Sequence, residues 1–410
     1  MNDQTRAKLD GMQRLALFVG VAGLIGLVIG FTQNPHQFFQ SYLFAFFIPL
    51  GFALGSLGMT MINYLTGGFW GLGARRIFQA GIRTIPFMVL LFLPLAYAML
   101  THPEAAAGGD GHGAGSWWLY PGTDHAFAEA NRKVFSPEKE LWLSGPFMVG
   151  RAAFYFLSWI ITGFWILKNA KKYDETGDAK ADGMTRLISG PGFLFFFLTM
   201  TFAAFDWAMS VQPLWFSTMY GVIFIVGQGL STLAFAIIFL SRVKHLEPFK
   251  HFAKPNLFAD LATLMFATVM LWAYTSFSQF LIIWSANLKE EAPWYVLRTS
   301  HGWQAIAIGL LVLHFALPFF LLLMRRIKKD ASFVPFVAAL LIVMRFVDVY
   351  WQVAPPFQPD GLSVHWLDFA APVALTGIWV WYFIGRLKAH PLTSPRQELQ
   401  LEAALGGAHH

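Results

Sequence analysis

Long apolar runs separated by short polar connections occupy most of the chain. A helix needs about 20 apolar residues to cross the roughly 30 Å hydrocarbon core of a bilayer. Ten stretches meet this length, which predicts ten transmembrane helices. They lie near residues 13–32, 38–64, 76–100, 146–168, 187–210, 214–241, 258–285, 302–325, 333–352 and 367–387.

The composition favours an all-α polytopic bundle that forms one integral membrane domain over residues 1–410. The chain is 56% hydrophobic and 13% charged, with 43 Phe and 16 Trp, beyond the usual content of a soluble core. Gly, Ala and Ser inside the apolar runs suit close helix contact, and "GFALGSLG" in the second run resembles a GxxxG motif. The first run resembles a signal peptide, but its length of about 18 residues without an A-x-A site favours an uncleaved span.

The distribution of basic residues predicts the orientation. If the N-terminus is cytoplasmic, 22 of the 29 Lys and Arg side chains fall in inner segments and five in outer loops. Cytoplasmic loops of membrane proteins carry such an excess. We therefore expect a multi-pass membrane protein with both termini in the cytoplasm. The net charge of +6 reflects topology and gives no reason to expect a nucleic-acid partner.

Redox centres are not expected in the chain itself. It has no cysteine, which excludes disulfides, cysteine-ligated iron–sulfur clusters and covalently attached c-type haem. A b-type haem held by two histidines needs a facing pair at matched depth, and His314 is the only histidine deep within a span. We expect no cofactor bound covalently or through a metal.

Four charged residues on three of the predicted spans share one level, towards the outer side. Arg345 and Asp348 lie about 18 and 22 Å from the inner edge of their span, and Asp206 and Arg151 lie about 6 and 8 Å from the outer edges of theirs. A charge in hydrocarbon is costly unless it is paired or faces the bundle interior. Arg345 and Asp348, spaced i, i+3, can pair directly. We expect Arg345, Asp348 and Asp206 to form one buried polar cluster where two bundles meet.

Two interpretations of these residues stay open. The charges form either a structural ion-pair cluster or part of a proton path or quinone head-group site. His314 is either an interior histidine with satisfied hydrogen bonds or a proton relay. Prolines are also expected to kink spans or lie at their ends. These are Pro191, Pro213, Pro318 and Pro335.

Several stretches resemble the polytopic quinol-interacting subunits of the NrfD/PsrC type. The likeness is greatest to the second such subunit of alternative complex III, the bacterial quinol:cytochrome c oxidoreductase. The block "SFSQFLIIWSANLKEEAPWY" is the most specific. The others are "SYLFAFFIPLGFALGSLGMTMINYLTGGFWG", "RTIPFMVLLFLPL", "FDWAMSVQPLWFSTMYG", "LHFALPFFLLLMRRIK" and "RFVDVYWQVAPPF".

The resemblance implies two four-helix bundles, spans two to five and six to nine, with two peripheral helices. It implies three protein partners: a homologous quinol-oxidising subunit, a peripheral iron–sulfur subunit and c-type cytochrome subunits. Lipids and a quinone or quinol, either menaquinone or ubiquinone, are the implied small ligands. The chain departs from the family pattern at two places. Gln212 and Leu214 stand where the family tends to have an acidic residue and a histidine, and Asn63 and Tyr64 stand where it often has paired histidines. The chain is therefore expected to be structural or proton-conducting and not catalytic alone.

Two other classes of function remain. A secondary transporter is expected to have broken helices and charged groups near the midplane, whereas the charges here lie towards the outer side. A membrane hydrolase or metalloenzyme needs a cluster of His, Asp or Glu such as H-E-x-x-H, and the sequence has none. The resemblance favours the respiratory subunit, with a stand-alone secondary transporter as the alternative.

Overall fold

Helices account for nearly all of the regular structure in the computed structural model, which describes residues 2–101 and 136–406. Eleven of them are long and are numbered here, with a shorter helix near the C-terminus. They are α1 (Asp3–Gln33), α2 (Pro35–Thr66), α3 (Phe69–Ile82), α4 (Ile85–Thr101), α5 (Gly145–Thr176), α6 (Ala179–Trp207), α7 (Met219–Val243), α8 (Pro255–Ala286), α9 (Trp303–Leu323), α10 (Val334–Val353), α11 (Leu367–Lys388) and α12 (Pro395–Gly406).

The predicted all-α bundle is confirmed, and its helices suit a multi-pass membrane protein. In the described ranges, nine helices are long and apolar enough to cross a membrane, or ten if α3 and α4 together form one span. The expected third span at 76–100 is divided by a 41° bend between α3 and α4. Pro86 lies at the second position of α4, where its missing N–H costs no helical hydrogen bond.

Local sequence explains where several helices begin and end. The side chain of Asn34 accepts a hydrogen bond from the Gln37 amide at 3.1 Å and caps α2, whose first residue is Pro35. Helix α5 ends at Gly177, which has φ +70°, a conformation that favours glycine. Between residues 310 and 316, α9 is a π-helix directly before Pro318. The proline cannot donate to the His314 carbonyl, and the wider turn accommodates its ring.

Two four-helix bundles meet mainly where α2 and α6 contact α7. Bundle one contains α2, the α3–α4 pair, α5 and α6, and bundle two contains α7 to α10. Helices α1 and α11 are the two helices outside the bundles, and they pair with each other and pack on α2. The most apolar stretch of α2 is buried throughout, because neighbours from both bundles and from α11 surround it.

Glycines permit the closest helix contacts. A Cβ on Gly55 would lie 2.3 Å from the Gln228 carbonyl oxygen of α7, so the GxxxG-like stretch is one place where the two bundles touch. Gly20 and Gly377 similarly bring α1 and α11 into backbone contact. These small residues lie where packing, rather than a hydrophobic driving force, holds helices together in lipid.

The bundle has two chemically different ends. One end, called here the basic end, carries Arg75 and Arg76 of α3, Lys244 after α7 and Lys388 of α11. Helix α12 lies there too, and Gln397 Nε2 donates to the Leu72 carbonyl at 3.0 Å. The opposite end carries the connections after α6, α8 and α10. The expected aromatic belt at Trp117, Trp118 and Tyr120 lies outside the described residues.

Candidate functional site

A buried carboxylate in bundle one is bound by four donors. Asp206, at the end of α6, is fully buried and accepts from Arg151 of α5 through Nε and Nη2, both at 2.8 Å. Tyr155, one turn after Arg151, donates to the carboxylate at 2.9 Å, and the Trp142 indole donates at 3.1 Å. The fork-shaped contact is the strongest arrangement for this pair. It joins α5 to α6.

Arg151 reaches the edge of the bundle between two aromatic rings. Its guanidinium carbon lies 4.0 Å from the ring centre of Trp142 and 4.6 Å from that of Phe147. Its Nη2 also donates to the Trp142 carbonyl at 2.8 Å, and 11% of the side chain stays exposed. The rings therefore shield a cation that lies near the opposite end of the bundle.

Bundle two contains a second ion pair, on a single helix. Arg345 and Asp348 of α10 are buried, and Arg345 Nη1 donates to the Asp348 carboxylate, as their i, i+3 spacing predicts. The Trp272 indole of α8 donates to the same carboxylate at 3.1 Å, and Gln352 donates at 3.0 Å. The ion pair is local to α10, and a neutral indole provides its link to α8.

The Arg345 guanidinium packs on the backbone of α7. A Cβ on Gly227 would lie 2.1 Å from its central carbon, so only glycine leaves room for it. The Phe224 ring centre lies 5.6 Å from the same carbon. Arg345 therefore fills the space between α10 and α7 as well as balancing the charge of Asp348.

The four charges form two networks, so the expectation of one cluster containing Arg345, Asp348 and Asp206 is wrong. Asp206 pairs with Arg151 inside bundle one, and Arg345 pairs with Asp348 inside bundle two. Depth along a helix gives the level of a residue and leaves open which neighbour it faces. Each pair lies inside one bundle, because a charge is stabilised by the nearest opposite charge that packing brings to it.

His314 lies beside the second network without joining it. It is fully buried in the π-helical part of α9, and its ring centre is 4.3 Å from that of Trp272, edge to face. Neither ring nitrogen has a hydrogen-bond partner within the described part of the protein. Protein groups in the described structure therefore do not provide the satisfied hydrogen bonds that the interpretation of His314 as an interior histidine requires.

Two further buried charged side chains, Asp368 and Arg298, were not predicted from the sequence. Asp368, in the first turn of α11, accepts from Ser41 Oγ at 2.6 Å and from the His365 amide at 2.9 Å, which joins α11 to α2. Arg298 precedes α9 and donates to Gln212 at 2.7 Å and to the Gln352 carbonyl at 2.7 Å. Both lie at the borders of spans, where the length of an apolar run does not show whether a side chain is buried.

Gln212 stands where the resemblance leads us to expect an acidic residue, and its neutral amide binds a buried cation. Arg298 is 1% exposed, and burial lowers the pKa of its guanidinium to about 9. Its acceptors in the described structure are the Gln212 side chain and carbonyl groups. The carbonyls of Trp351 and Gln352 belong to the negative, C-terminal end of α10, which partly balances the charge.

A polar cavity of about 550 Å³ lies at the basic end of bundle one, where the resemblance leads us to expect paired histidines. Asn63 and Tyr64 line it, together with Arg75 of α3. Arg75 donates to the Tyr64 hydroxyl at 3.0 Å and pairs with Asp174 of α5 at 3.4 Å. The tyrosine is therefore fixed by a cation that is itself paired with a carboxylate.

Comparison with known proteins adds no family to this description. No model of a protein family matches the chain, and no curated protein is significantly similar to it. Among the described residues, no group of three or more His, Cys, Asp or Glu side chains could hold a metal ion. A function for this chain is therefore inferred from its sequence stretches and from the networks described above.

Proposed function

We propose that this chain is a membrane subunit of a respiratory quinol:cytochrome c, or quinol:acceptor, oxidoreductase and carries no redox centre of its own. Its proposed partners are a homologous quinol-oxidising subunit, a peripheral iron–sulfur subunit and c-type cytochrome subunits. The resemblance implies a location in the bacterial cytoplasmic membrane. Both termini are assigned to the cytoplasm because 22 of the 29 basic side chains then lie in inner segments.

The closed ion pair in each bundle is the observation that supports a non-catalytic role for the chain in this proposal. Asp206 accepts four hydrogen bonds and Asp348 three, and each carboxylate contacts an arginine. A protonated carboxylate would lose its charge-assisted bonds to that arginine. A fixed role is therefore favoured over proton transfer for Asp206, Arg151, Arg345 and Asp348. Together with the resemblance, this favours a subunit that supports the complex over one that oxidises quinol.

A stand-alone transporter is the second candidate, and the break between α3 and α4 is the observation that favours it. Transporters often bind substrate where a span is discontinuous. Here the break is filled by protein: Thr84 is fully buried, donates to the Gly81 carbonyl at 2.6 Å and accepts from the Trp379 indole of α11 at 2.9 Å. The break therefore holds α11 against bundle one.

Purification from the native membrane tests the proposal. A tagged chromosomal copy, extracted in mild detergent, should co-purify with subunits that contain c-type haem and iron–sulfur clusters. Deleting the gene should abolish quinol-dependent reduction of cytochrome c in membranes from the same strain. A chain that purifies alone, and whose deletion leaves that activity unchanged, would contradict the proposal. Solute uptake by vesicles containing the purified chain alone would support the transporter.

Reporter fusions test the orientation separately. Alkaline phosphatase is active only outside the cytoplasm, so a fusion after Lys329 should be inactive and a fusion after Asn287 active. The reverse pattern would overturn the assignment of the basic end to the cytoplasm.

A further inference from the structure

A long apolar groove separates the peripheral helices from bundle two. Helices α1 and α11 pack on α2, and bundle two contributes α7 and α10 to the facing wall. The cavity measures about 1140 Å³, and nearly all of its lining is apolar. Along α11 it extends from Asp368 to Ile384, about 24 Å at the rise of an α-helix. Hydrocarbon of the bilayer must fill such a space, because an empty one would forfeit its dispersion contacts.

The groove has a cationic mouth at the basic end. Lys8 of α1 and Arg242 of α7 both line it and are exposed. Neither has an acidic partner in the part of the chain that the structure describes, whereas nearby Lys388 is paired with Asp10. Both cations lie at helix ends, where lipid head groups meet water. They can therefore bind an anion at the depth at which a phosphate enters.

The other end of the groove repels an anion. Asp368 lies there, and its carboxylate is already bound by Ser41, Gln37 and the His365 amide. A negatively charged head group is excluded from this end and attracted to the cationic mouth. The groove also extends beyond the roughly 15 Å depth of one leaflet. An acyl chain that enters beside Lys8 can therefore lie fully inside it.

From this geometry we infer that the groove is a binding site for an anionic phospholipid. Its phosphate lies between Lys8 and Arg242, and an acyl chain runs along α11 towards Asp368. The lipid fills the gap between the α1–α11 pair and bundle two, so it is an integral part of the packing on this side. This site is distinct from both buried ion pairs and does not depend on the proposed respiratory function.

Lipid binding to the purified, delipidated full-length protein tests the inference. Phosphatidylglycerol or zwitterionic phosphatidylcholine is titrated in detergent, and bound lipid is counted by native mass spectrometry. Lys8→Ala with Arg242→Ala should weaken phosphatidylglycerol binding about tenfold, since each cation at a membrane surface contributes modestly. Phosphatidylcholine binding should not change. The control, Arg325→Ala with Arg326→Ala, removes the same charge at the same end away from the groove and should bind like the wild type.

A steric variant tests the groove itself. Gly11 lines the groove, and a Cβ there would meet nothing within 4 Å, so Gly11→Leu should fill the space without disturbing the fold. It should weaken binding of both lipids, whereas Gly150→Leu, at an equally open glycine outside the groove, should not. Thermal unfolding of each variant verifies its fold.

Three outcomes would overturn the inference. If the variant with Lys8→Ala and Arg242→Ala bound phosphatidylglycerol as tightly as the wild type, these two cations would not contact the head group. An equal loss in the Arg325 and Arg326 control would mean that surface charge alone attracts the lipid. Loss of a co-purified isoprenoid quinone from Gly11→Leu, with phosphatidylglycerol retained, would identify the occupant as quinone.

Discussion

The two bundles stabilise buried charge in different ways. In bundle one, the ion pair joins two helices, and Arg151 of α5 holds Asp206 of α6 near the end of the bundle. In bundle two, both charges belong to α10, and the indole of Trp272 provides the contact to α8. The first pair is itself a tertiary contact. The second pair forms within one helix, so its two charges balance each other without a charged group from another helix.

The largest expected effect is in bundle two, from removing one charge of the intrahelical pair. Arg345→Leu leaves Asp348 buried and unpaired, which should lower the free energy of unfolding by about 3–5 kcal/mol. Adding Asp348→Asn should restore most of the loss, because the amide oxygen still accepts from Trp272 and no charge remains. Denaturant titration in a fixed detergent measures both. Wild-type stability of Arg345→Leu alone would mean that Arg345 faces water or lipid head groups.

The Arg345→Leu/Asp348→Asn variant also separates the two functional interpretations of this pair. If it assembles and the complex transfers electrons with unchanged proton release, the pair is structural. If it assembles but proton release is lost, the pair belongs to a proton path, which would contradict the fixed role proposed here. The proton yield per electron, measured with a pH dye in vesicles, distinguishes these outcomes.

A smaller effect is expected in bundle one. Arg151→Leu should cost about 2–3 kcal/mol, since Asp206 keeps the hydroxyl of Tyr155 and the indole of Trp142 and lies near the edge of the bundle. Tyr155→Phe provides the comparison, because it removes one neutral donor and should cost about 1 kcal/mol. Equal losses for Arg151→Leu and Arg345→Leu would show that the positions of the two pairs do not matter.

Adding a single methyl group at the contact between α2 and α7 should lower the stability of the fold. Gly55→Ala places a Cβ 2.3 Å from the Gln228 carbonyl and should destabilise the fold by about 1–3 kcal/mol. Gly51→Ala, one turn earlier on the same helix, meets its nearest atom at 3.7 Å and should be tolerated. Thermal unfolding in detergent compares the two. Similar midpoints would show that α2 and α7 separate without cost.

The smallest expected change is a gain. Gln212→Glu gives the buried guanidinium of Arg298 a carboxylate in place of an amide, across the connection from bundle one to bundle two. A bond between opposite charges is stronger than the present bond from the guanidinium to a neutral amide, so stability should rise by about 1 kcal/mol. The thermal midpoint should increase, and Gln212→Ala should lower it. A decrease with Glu would show that the site does not tolerate an anion.

The spans were predictable because hydrophobic length is a local property of the sequence. The second span was expected at 38–64 and is α2, Pro35–Thr66. The pairing of Arg345 with Asp348 also followed from spacing on one helix. The partner of Asp206 did not, because it depends on how α5 rotates against α6, and the role of Trp272 depends on the packing of α8. The bend between α3 and α4 was missed, although Pro86 indicates a helix start, because the span was predicted from the length of the apolar run alone.

The pairing of α1 with α11 has a consequence for how the protein is made. Helix α1 leaves the ribosome long before its main partner, α11. Helix α2 is also synthesised before the helices that cover it, which include α6, α7 and α11. Helices α1 and α2 must therefore wait in the membrane, exposed to lipid or held by insertion factors, until α11 has been synthesised. A nascent chain stalled before residue 367 should remain sensitive to added protease.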